Sequence, residues 1–391
     1  MSTVSVPDTG AELILGYRPG ESSLFASPRG TMLAEGAYFA VPPSGRPDGQ
    51  ADLARRVRAA LGVADAAGHP VRTVVGAVPF AAGADACLIV PRRLHRGGAP
   101  AAAAYRVLPS GIRALRPVPE PERYREAVAR AVRQIRAGAY TKTVLARSLR
   151  VEAPGFDPAP SVRALAARDP GGYTFAVDLG AGRTLFGASP ELLVSRHGRT
   201  VTANPLAGSA ARSADPAEDH LRAAALLASV KDRHEHAMVA DQVAAVLDRY
   251  CTSLTVPPTP SVTGTATMWH LSTLITGELA DDAVTALELA TALHPTPAVC
   301  GTPTGAARAA IAELEAFDRG FYTGMVGWVD ADGDGEWAVT IRCATADPDG
   351  LDLFAGAGVV ADSDPSAELA ETTAKLRTLL AALGLEESDV A

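Results

Sequence analysis

Two pairs of acidic residues have a spacing that could hold a metal ion. Asp232 and Glu235 are three residues apart, as are Glu368 and Glu371, so on a helix the two carboxylates of each pair share one face. Two such helices facing each other could bind a hard divalent cation such as Mg²⁺, which prefers oxygen ligands. Spacing by itself favours the simpler alternative of solvated surface acids.

Three basic residues lie close to these motifs in the sequence and could bind an anion. They are Lys142, Lys375 and Arg342, the last within the otherwise apolar run 337–344. In a continuous strand, alternation would place Arg342 on the face opposite Trp337, among small neighbours. A guanidinium there could clamp a carboxylate through two hydrogen bonds, and a structural ion pair is an equal alternative.

A glycine-rich segment at 355–358 follows a predicted strand, as phosphate loops do. It lacks the third glycine of GxGxxG and the GK[ST] of a P-loop, so the sequence does not favour a nucleotide site. The same small residues could present backbone amides to a carboxylate.

Other motifs point to structure rather than chemistry. His234 and His236 are two residues apart and would diverge on a helix, which argues against zinc. His294 lies between prolines, and we assign it no chemical role. The turn at 330–335 resembles the start of an EF-hand loop, but its twelfth position is Ile341 instead of glutamate, so we expect a hairpin turn.

The elements that must position these residues indicate an α+β fold, with helices packed against a largely antiparallel sheet. Strands cluster instead of alternating with helices, which disfavours a doubly wound sheet. We predict helices at 121–137, 216–250 (one long or two abutting) and 366–384, and strands from Lys142 onward and at 173–177, 184–186, 191–195, 200–202, 323–329, 336–344 and 351–355. Residues 91–105 are expected to form an exposed connection that ends an N-terminal segment.

Composition restricts the partners and the compartment. The 391 residues carry 36 Lys+Arg against 44 Asp+Glu, a net charge of −8, and no basic block suggests nucleic-acid binding. No apolar run is long enough for a membrane span, and no export signal is evident. The four cysteines are far apart in sequence, which fits a reducing cytoplasm.

Taken in order, nine strings in the second two thirds of the chain resemble the chorismate-utilising enzymes, and most of all the isochorismate synthases. The resemblance covers about 120–385, and residues 1–110 match only loosely. We therefore expect 1–110 to be a divergent N-terminal part of the same α+β unit and 111–391 to be the catalytic region. The strings are KTVLAR (142–147), FGASPEL (186–192), NPLAGS (204–209), KDRHEH (231–236), LHPTPAV (293–299), GMVGW (324–328), TIRC (340–343), AGAG (355–358) and ELAET (368–372) with Lys375.

The resemblance implies a chorismate-binding fold in which two layers of mostly antiparallel sheet, with helices outside, enclose one buried site. It also implies that Mg²⁺ binds the ring carboxylate of chorismate through Glu235 and Glu371, with Glu368 and Asp232 near or in the outer shell. By the same comparison, Lys142 is the general base for water attacking C2. Glu191 would be the general acid that protonates the departing C4 hydroxyl, a role that requires a protonated carboxyl.

The matching positions also suggest which residues bind the substrate. Those implied to hold its carboxylates and side chain are Arg342, Lys375 and the amides around Gly208, Ser209, Gly356 and Gly358, with Ala298, Val299 and Tyr322 completing the pocket.

Several residues discriminate among members of this family. Ala207 stands where aminodeoxychorismate synthases place a nucleophilic lysine, and no glutaminase domain fits in the chain, which disfavours the ammonia-using members. Ala298 favours isochorismate synthase over salicylate synthase, whereas Tyr322 matches relatives that release pyruvate. An inactive chorismate-binding paralogue is disfavoured because the base, acid and metal positions are filled.

The match also suggests a monomer. Its product would pass to isochorismate-consuming enzymes that make a siderophore, menaquinone or salicylate.

Overall fold

The computed structural model describes residues 9–46, 49–102, 105 and 111–385. Its helices are α1 Gly10–Gly16, α2 Leu53–Ala66, α3 Pro121–Arg136, α4 Ala159–Arg168, α5 Pro216–Ala228, α6 Val230–Leu247, α7 Ala286–Leu293, α8 Thr304–Leu314 and α9 Pro365–Ala382. Its strands are β1 Ser22–Ser27, β2 Gly30–Ala40, β3 Thr73–Val78, β4 Cys87–Gly97, β5 Ala114–Val118, β6 Lys142–Glu152, β7 Tyr173–Gly180, β8 Arg183–Ser189, β9 Leu192–His197, β10 Thr200–Asn204, β11 Leu206–Ala211, β12 Cys251–Thr255, β13 Ser261–Gly264, β14 Met268–Ser272, β15 Ile275–Leu279, β16 Gly301–Thr302, β17 Met325–Asp330, β18 Gly335–Val339, β19 Cys343–Asp347 and β20 Gly350–Val359.

Seventeen strands form one curled antiparallel sheet, and β11, β14 and β13 form a separate small sheet. Pairing runs from β6 through β20, β19, β8, β7, β1, β2, β4, β3, β17, β18, β9, β10 and β15 to β12, and β5 and β16 both pair with the remaining edge of β6. Every pairing among the described residues is antiparallel, which confirms the predicted α+β class.

The sheet curls into two layers, and two chain segments cross between them side by side. One segment joins β8 to β9 and carries Glu191, and the other joins β18 to β19 and carries Arg342. The Val339 amide donates to the Glu191 carbonyl at 3.1 Å, and the Ala188 amide donates to the Arg342 carbonyl at 3.1 Å. These bonds fix both crossing segments at the same place.

The crossing at Arg342 corrects one prediction. The run 336–344 is not a continuous strand, because β18 ends at Val339, β19 begins at Cys343 and Arg342 has a left-handed φ of 50°. Strict alternation therefore does not determine which way the guanidinium points. The local backbone conformation does.

Three apolar clusters hold the layers and helices together. Val194, Trp337 and Leu247 belong to a cluster that packs β9 and β18 against helices, and Leu353 and Leu376 belong to one that packs β20 against α9. A third cluster lies between the layers and joins residues of β7, β8, β17 and β18, namely Phe175, Leu185, Val326, Trp328 and Ala338. The helices therefore lie outside the layers, as expected.

The helices that carry the acid pairs have defined starts. The predicted helical segment 216–250 is two helices, because Ser229 adopts an extended conformation and its hydroxyl accepts the Asp232 amide as the cap of α6. Asp364 caps α9 by accepting the amides of Ser366 and Ala367. Side-chain caps satisfy amides that a helix start leaves unpaired, so they set where each helix begins.

The prediction of an exposed connection at 91–105 is wrong for its first part. Residues up to Gly97 belong to β4, which pairs with β2 and β3. The expected boundary near residue 110 lies outside the described residues. N-terminal strands join the main sheet through the pairs β1–β7 and β3–β17.

The turn at 330–335 is a hairpin turn in which an Asp330 carboxylate oxygen accepts the amides of Asp332 and Asp334, as expected. Within the described part of the chain, no helix has the length and apolarity to cross a membrane.

Candidate active site

A cleft opens beside the two crossing segments. The residues predicted from the sequence to act or bind there come from both layers and from α6 and α9. All of them except Lys142 line the cleft: Glu191, Gly208, Ser209, Asp232, Glu235, Ala298, Val299, Tyr322, Arg342, Gly356, Gly358, Glu368, Glu371 and Lys375.

Lys142 is the first residue of β6 and lies just behind the lining of the cleft. Its side chain is buried, and its Nζ is 2.8 Å from Oε1 of Glu235 on α6. Burial alone would raise the pKa of Glu235, but the charge of Lys142 and the hydrogen bond from its Nζ outweigh burial and lower that pKa. The expected base and an expected metal ligand therefore form one ion pair.

Gly358 makes room for this ion pair. A Cβ atom at Gly358 would lie 2.6 Å from Oε1 of Glu235 and 3.2 Å from Cε of Lys142. The first distance is shorter than any normal carbon–oxygen contact, so a larger residue would displace the pair.

Glu191 lies at the crossing between the layers and is 3% exposed. Burial raises the pKa of Glu191 to about 8, although the Leu206 backbone amide and the charges of Lys142, Arg342 and Lys375 oppose the shift. Since this pKa exceeds 7, the carboxyl retains its proton at neutral pH and can act as an acid. The influence of Lys142 also shows that the two predicted catalytic groups interact across one site.

Arg342 offers an unpaired donor at the same crossing. The side chain is buried, its Nη2 has no hydrogen-bond partner, and burial lowers its pKa. Within the described residues no carboxylate lies within ion-pair distance of it, so the alternative of a structural ion pair fails. An unsatisfied buried guanidinium is costly unless an anionic ligand completes it.

Lys375 connects α9 to the glycine-rich strand β20. Its Nζ is 2.6 Å from Oε1 of Glu371 and donates to the Gly356 carbonyl at 2.9 Å. The Ser209 hydroxyl donates to the same oxygen of Glu371 at 3.2 Å. A Cβ at Gly356 would lie 2.8 Å from the Tyr322 hydroxyl. Close packing thus explains this second glycine as well.

The two acid pairs lie on α6 and α9 and face the same cleft, although spacing alone favoured solvated surface acids. Burial raises the pKa of Glu368 to about 7, and the negative charge of Glu371 adds to the shift. Glu235 and Glu371 are bound to lysines. Among the described residues, no three His, Cys, Asp or Glu side chains lie close enough together to hold an ion.

His270 on β14 is a cleft residue that the sequence reasoning missed. It is buried and its Nε2 has no hydrogen-bond partner. Burial, aided by the charges of Arg342 and Lys375, lowers its pKa well below the usual value, so the ring is neutral. The only signal in the sequence was a histidine within the run 268–271.

His236 and His294 have structural contacts instead. Nε2 of His236 is 2.7 Å from the Thr273 hydroxyl, and Nε2 of His294 donates to the Thr323 carbonyl at 2.9 Å. Neither lines the cleft.

Comparison with known proteins identifies the family. The family described as "Chorismate binding enzyme" matches residues 106–384. The chain belongs to the chorismate-binding enzymes. It is 49% identical over 401 residues to isochorismate synthase DhbC of Bacillus subtilis, covering 97% of this chain and 98% of that protein.

Two further chorismate-binding enzymes are similar. The vibriobactin-specific isochorismate synthase of Vibrio cholerae is 45% identical over 316 residues, covering 81% of this chain and 80% of that protein. The crystal structure of DhbC from Bacillus anthracis superposes with a TM-score of 0.90 at 47% identity, covering 96% of this chain and all of that one. The chorismate-binding fold expected from the sequence is thereby confirmed.

Proposed function

We propose that the protein is an isochorismate synthase, which adds water at C2 of chorismate while the C4 hydroxyl leaves. The observation that carries this proposal is the buried Glu191, whose raised pKa provides a proton donor beside three cations in one cleft. The similarity to DhbC and to the vibriobactin-specific enzyme supports the same activity.

Glu191 and Lys142 divide the proton transfers. Hydroxide is a poor leaving group, so the carboxyl of Glu191 protonates the C4 oxygen as the C4–O bond breaks. Water is a weak nucleophile, so the neutral amine of Lys142 takes its proton as the C2–O bond forms. The ring double bond shifts between these positions, and one water enters for each that leaves. In the free protein the Nζ of Lys142 donates a hydrogen bond to Glu235 at 2.8 Å.

Chorismate is a dicarboxylate, and the cleft offers matching cations. We assign carboxylate binding to Arg342 and Lys375 with the amides around Gly208, Ser209, Gly356 and Gly358. The unpaired Nη2 of Arg342 supports this assignment, because a carboxylate would satisfy a buried donor that has no other partner. Ala298, Val299 and Tyr322 form the adjoining wall.

The acids of the cleft are suited to Mg²⁺. All four expected ligands, namely Asp232, Glu235, Glu368 and Glu371, are carboxylates, the donor type that hard cations prefer. Burial, with the negative charge of Glu371, raises the pKa of Glu368, and a bound divalent cation would oppose both effects by stabilising the charged carboxylate. When bound, Mg²⁺ would supply positive charge to hold and polarise the ring carboxylate of the substrate.

The remaining proposals concern context. We place 1–110 and 111–391 in one folding unit, which the pairs β1–β7 and β3–β17 support. We also propose a monomer in the cytoplasm that has no nucleic-acid or membrane partner. We propose that its product passes to isochorismate-consuming enzymes of siderophore synthesis, because one relative is named as vibriobactin-specific.

The test is a product analysis. Purified protein, chorismate and Mg²⁺, with and without ammonium, should yield isochorismate as the main product by chromatography. Salicylate with equimolar pyruvate would instead identify a salicylate synthase, the outcome that the Tyr322 hydroxyl in the cleft would favour. An aminated product, or bound chorismate that is not converted, would also overturn the proposal.

A further inference from the structure

Arg319 lies behind the cleft, in the segment between α8 and β17, and all five of its N–H donors have acceptors. The residue is 4% exposed. Its Nε and Nη2 donate to the Glu315 carboxylate at 2.9 and 2.5 Å, and its second Nη2 hydrogen points to the Val144 carbonyl at 2.8 Å. Its Nη1 donates to the Val299 carbonyl at 2.8 Å and to the Thr323 hydroxyl at 3.1 Å. No donor remains for a ligand.

The three uncharged acceptors belong to three separate wall segments of the cleft. Val144 lies on β6, two residues after Lys142. Val299 follows Ala298, and Thr323 follows Tyr322. All three acceptor residues line the cleft. One guanidinium therefore joins the strand of the candidate base to two segments of the candidate substrate wall.

Thr323 is held in an unfavourable conformation. Its φ is 59°, which is rare for a β-branched residue. Its amide donates to the Thr340 carbonyl at 2.7 Å, its carbonyl accepts from Nε2 of His294, and its hydroxyl accepts from Arg319 and donates to the Tyr322 carbonyl at 2.6 Å. Strain of this kind persists only where the surroundings over-determine it, and such sites cluster at functional positions.

Because Glu315 neutralises Arg319, Arg319 acts on the cleft through the positions of the groups it binds and not through its charge. The Glu315 carboxylate neutralises the guanidinium and also accepts the Ala146 amide of β6 at 2.8 Å. The ion pair is therefore internally balanced and adds little net charge to the cleft. Its effect must come from the positions of the backbone groups that it holds.

We propose that Arg319 is a positioning residue that acts together with Glu315 and His294. These side chains hold the backbone of Val144, Val299 and Thr323 in place, so that the wall of the cleft fits chorismate. The proposal rests on the function proposed above. A displaced wall would weaken chorismate binding and misplace the ring relative to Lys142 and Glu191, because misplacement by an ångström is costly in rate.

Arg319→Lys keeps the charge but has only three donors in place of a planar fork. We expect kcat/KM for chorismate to fall about tenfold or more, with a raised KM. The matched control is Arg150→Lys on β6, the strand that carries Val144, where Arg150 pairs with Asp347 and Asp352 away from the cleft. A loss of kcat/KM no greater than that of the control, or a loss confined to kcat with KM unchanged, would overturn the proposal.

A second pair of variants decides the matter if Arg319→Lys does not fold. His294→Leu removes the donor to the Thr323 carbonyl, whereas His294→Gln retains an N–H in its place. We expect a raised KM in the leucine variant and partial recovery in the glutamine variant. Equal and unchanged KM values in both would refute the positioning role.

Calorimetric titration with chorismate separates this proposal from the proposed function. If wild-type protein binds chorismate but makes no isochorismate, the function is wrong, and the Kd of each variant still tests the positioning role. If wild-type protein is active and the variants bind as it does, only the positioning role is wrong.

Discussion

The amine of Lys142 and the carboxylate of Glu235 form a buried ion pair, 2.8 Å apart, at the lining of the cleft. The charge of Lys142 lowers the pKa of Glu235 against the effect of burial, so the residue expected to act as a base helps to keep an expected metal ligand ionised. Any change that separates them should alter both proton transfer and metal binding.

Gly358→Ala tests this pair without removing either charge. The new methyl group would lie 2.6 Å from Oε1 of Glu235, so the pair must shift, and we expect kcat to fall about tenfold or more. Steady-state kinetics with chorismate measure the effect. Gly62→Ala is the control, because nothing lies within 4 Å of the added atom there. Equal activity of the two variants would mean that the close approach at Gly358 is unimportant.

Glu191→Gln tests the general acid. Glutamine has nearly the same shape but cannot donate a carboxyl proton, so turnover should fall about a hundredfold or more while chorismate affinity changes little. Turnover and a binding titration on the same preparation measure the two quantities. Wild-type turnover in this variant would show that another group protonates the C4 oxygen.

The pH dependence should report the same group. Because burial raises the pKa of Glu191 to about 8, the carboxyl is protonated below that pH and loses its proton above it. Activity should therefore decline as pH rises through about 8. The residual activity of Glu191→Gln should lack this decline. A wild-type profile that stays flat to pH 9 would conflict with the assignment.

Metal removal should abolish activity. Burial and the negative charge of Glu371 raise the pKa of Glu368, and without a cation the carboxylates of α6 and α9 would repel an anionic substrate. We expect no turnover in excess chelator and recovery on adding Mg²⁺. Undiminished turnover in chelator would eliminate the proposed metal site.

Arg342→Met should separate affinity from stability. The buried Nη2 of Arg342 has no partner in the free protein, so we expect an apolar replacement of similar length to leave the melting temperature unchanged or higher. Chorismate affinity should fall about tenfold or more, since a charge-assisted carboxylate contact is lost. Thermal melts and binding titrations give both values. A lower melting temperature with unchanged affinity would assign Arg342 a purely structural role.

Many residues of the site could be predicted from the sequence. The spacing of the acid pairs placed each on one helix face, and strand clustering indicated an antiparallel α+β fold. The motif strings identified the family and the residues that the structure brings to one cleft. These features are local or carried by residue identity, so they do not depend on distances between elements.

Only the tertiary structure decided how these residues meet. The Lys142–Glu235 pair, the unpaired Nη2 of Arg342 and the buried His270 depend on the approach of distant strands and helices, which no local pattern records. The alternation of side chains between the two faces of a strand failed as a predictor at Arg342, because it assumes a continuous strand. The strand is interrupted there by a residue with a left-handed backbone conformation at the crossing between layers. The protonated state of Glu191 likewise follows from its burial, which long-range packing alone establishes.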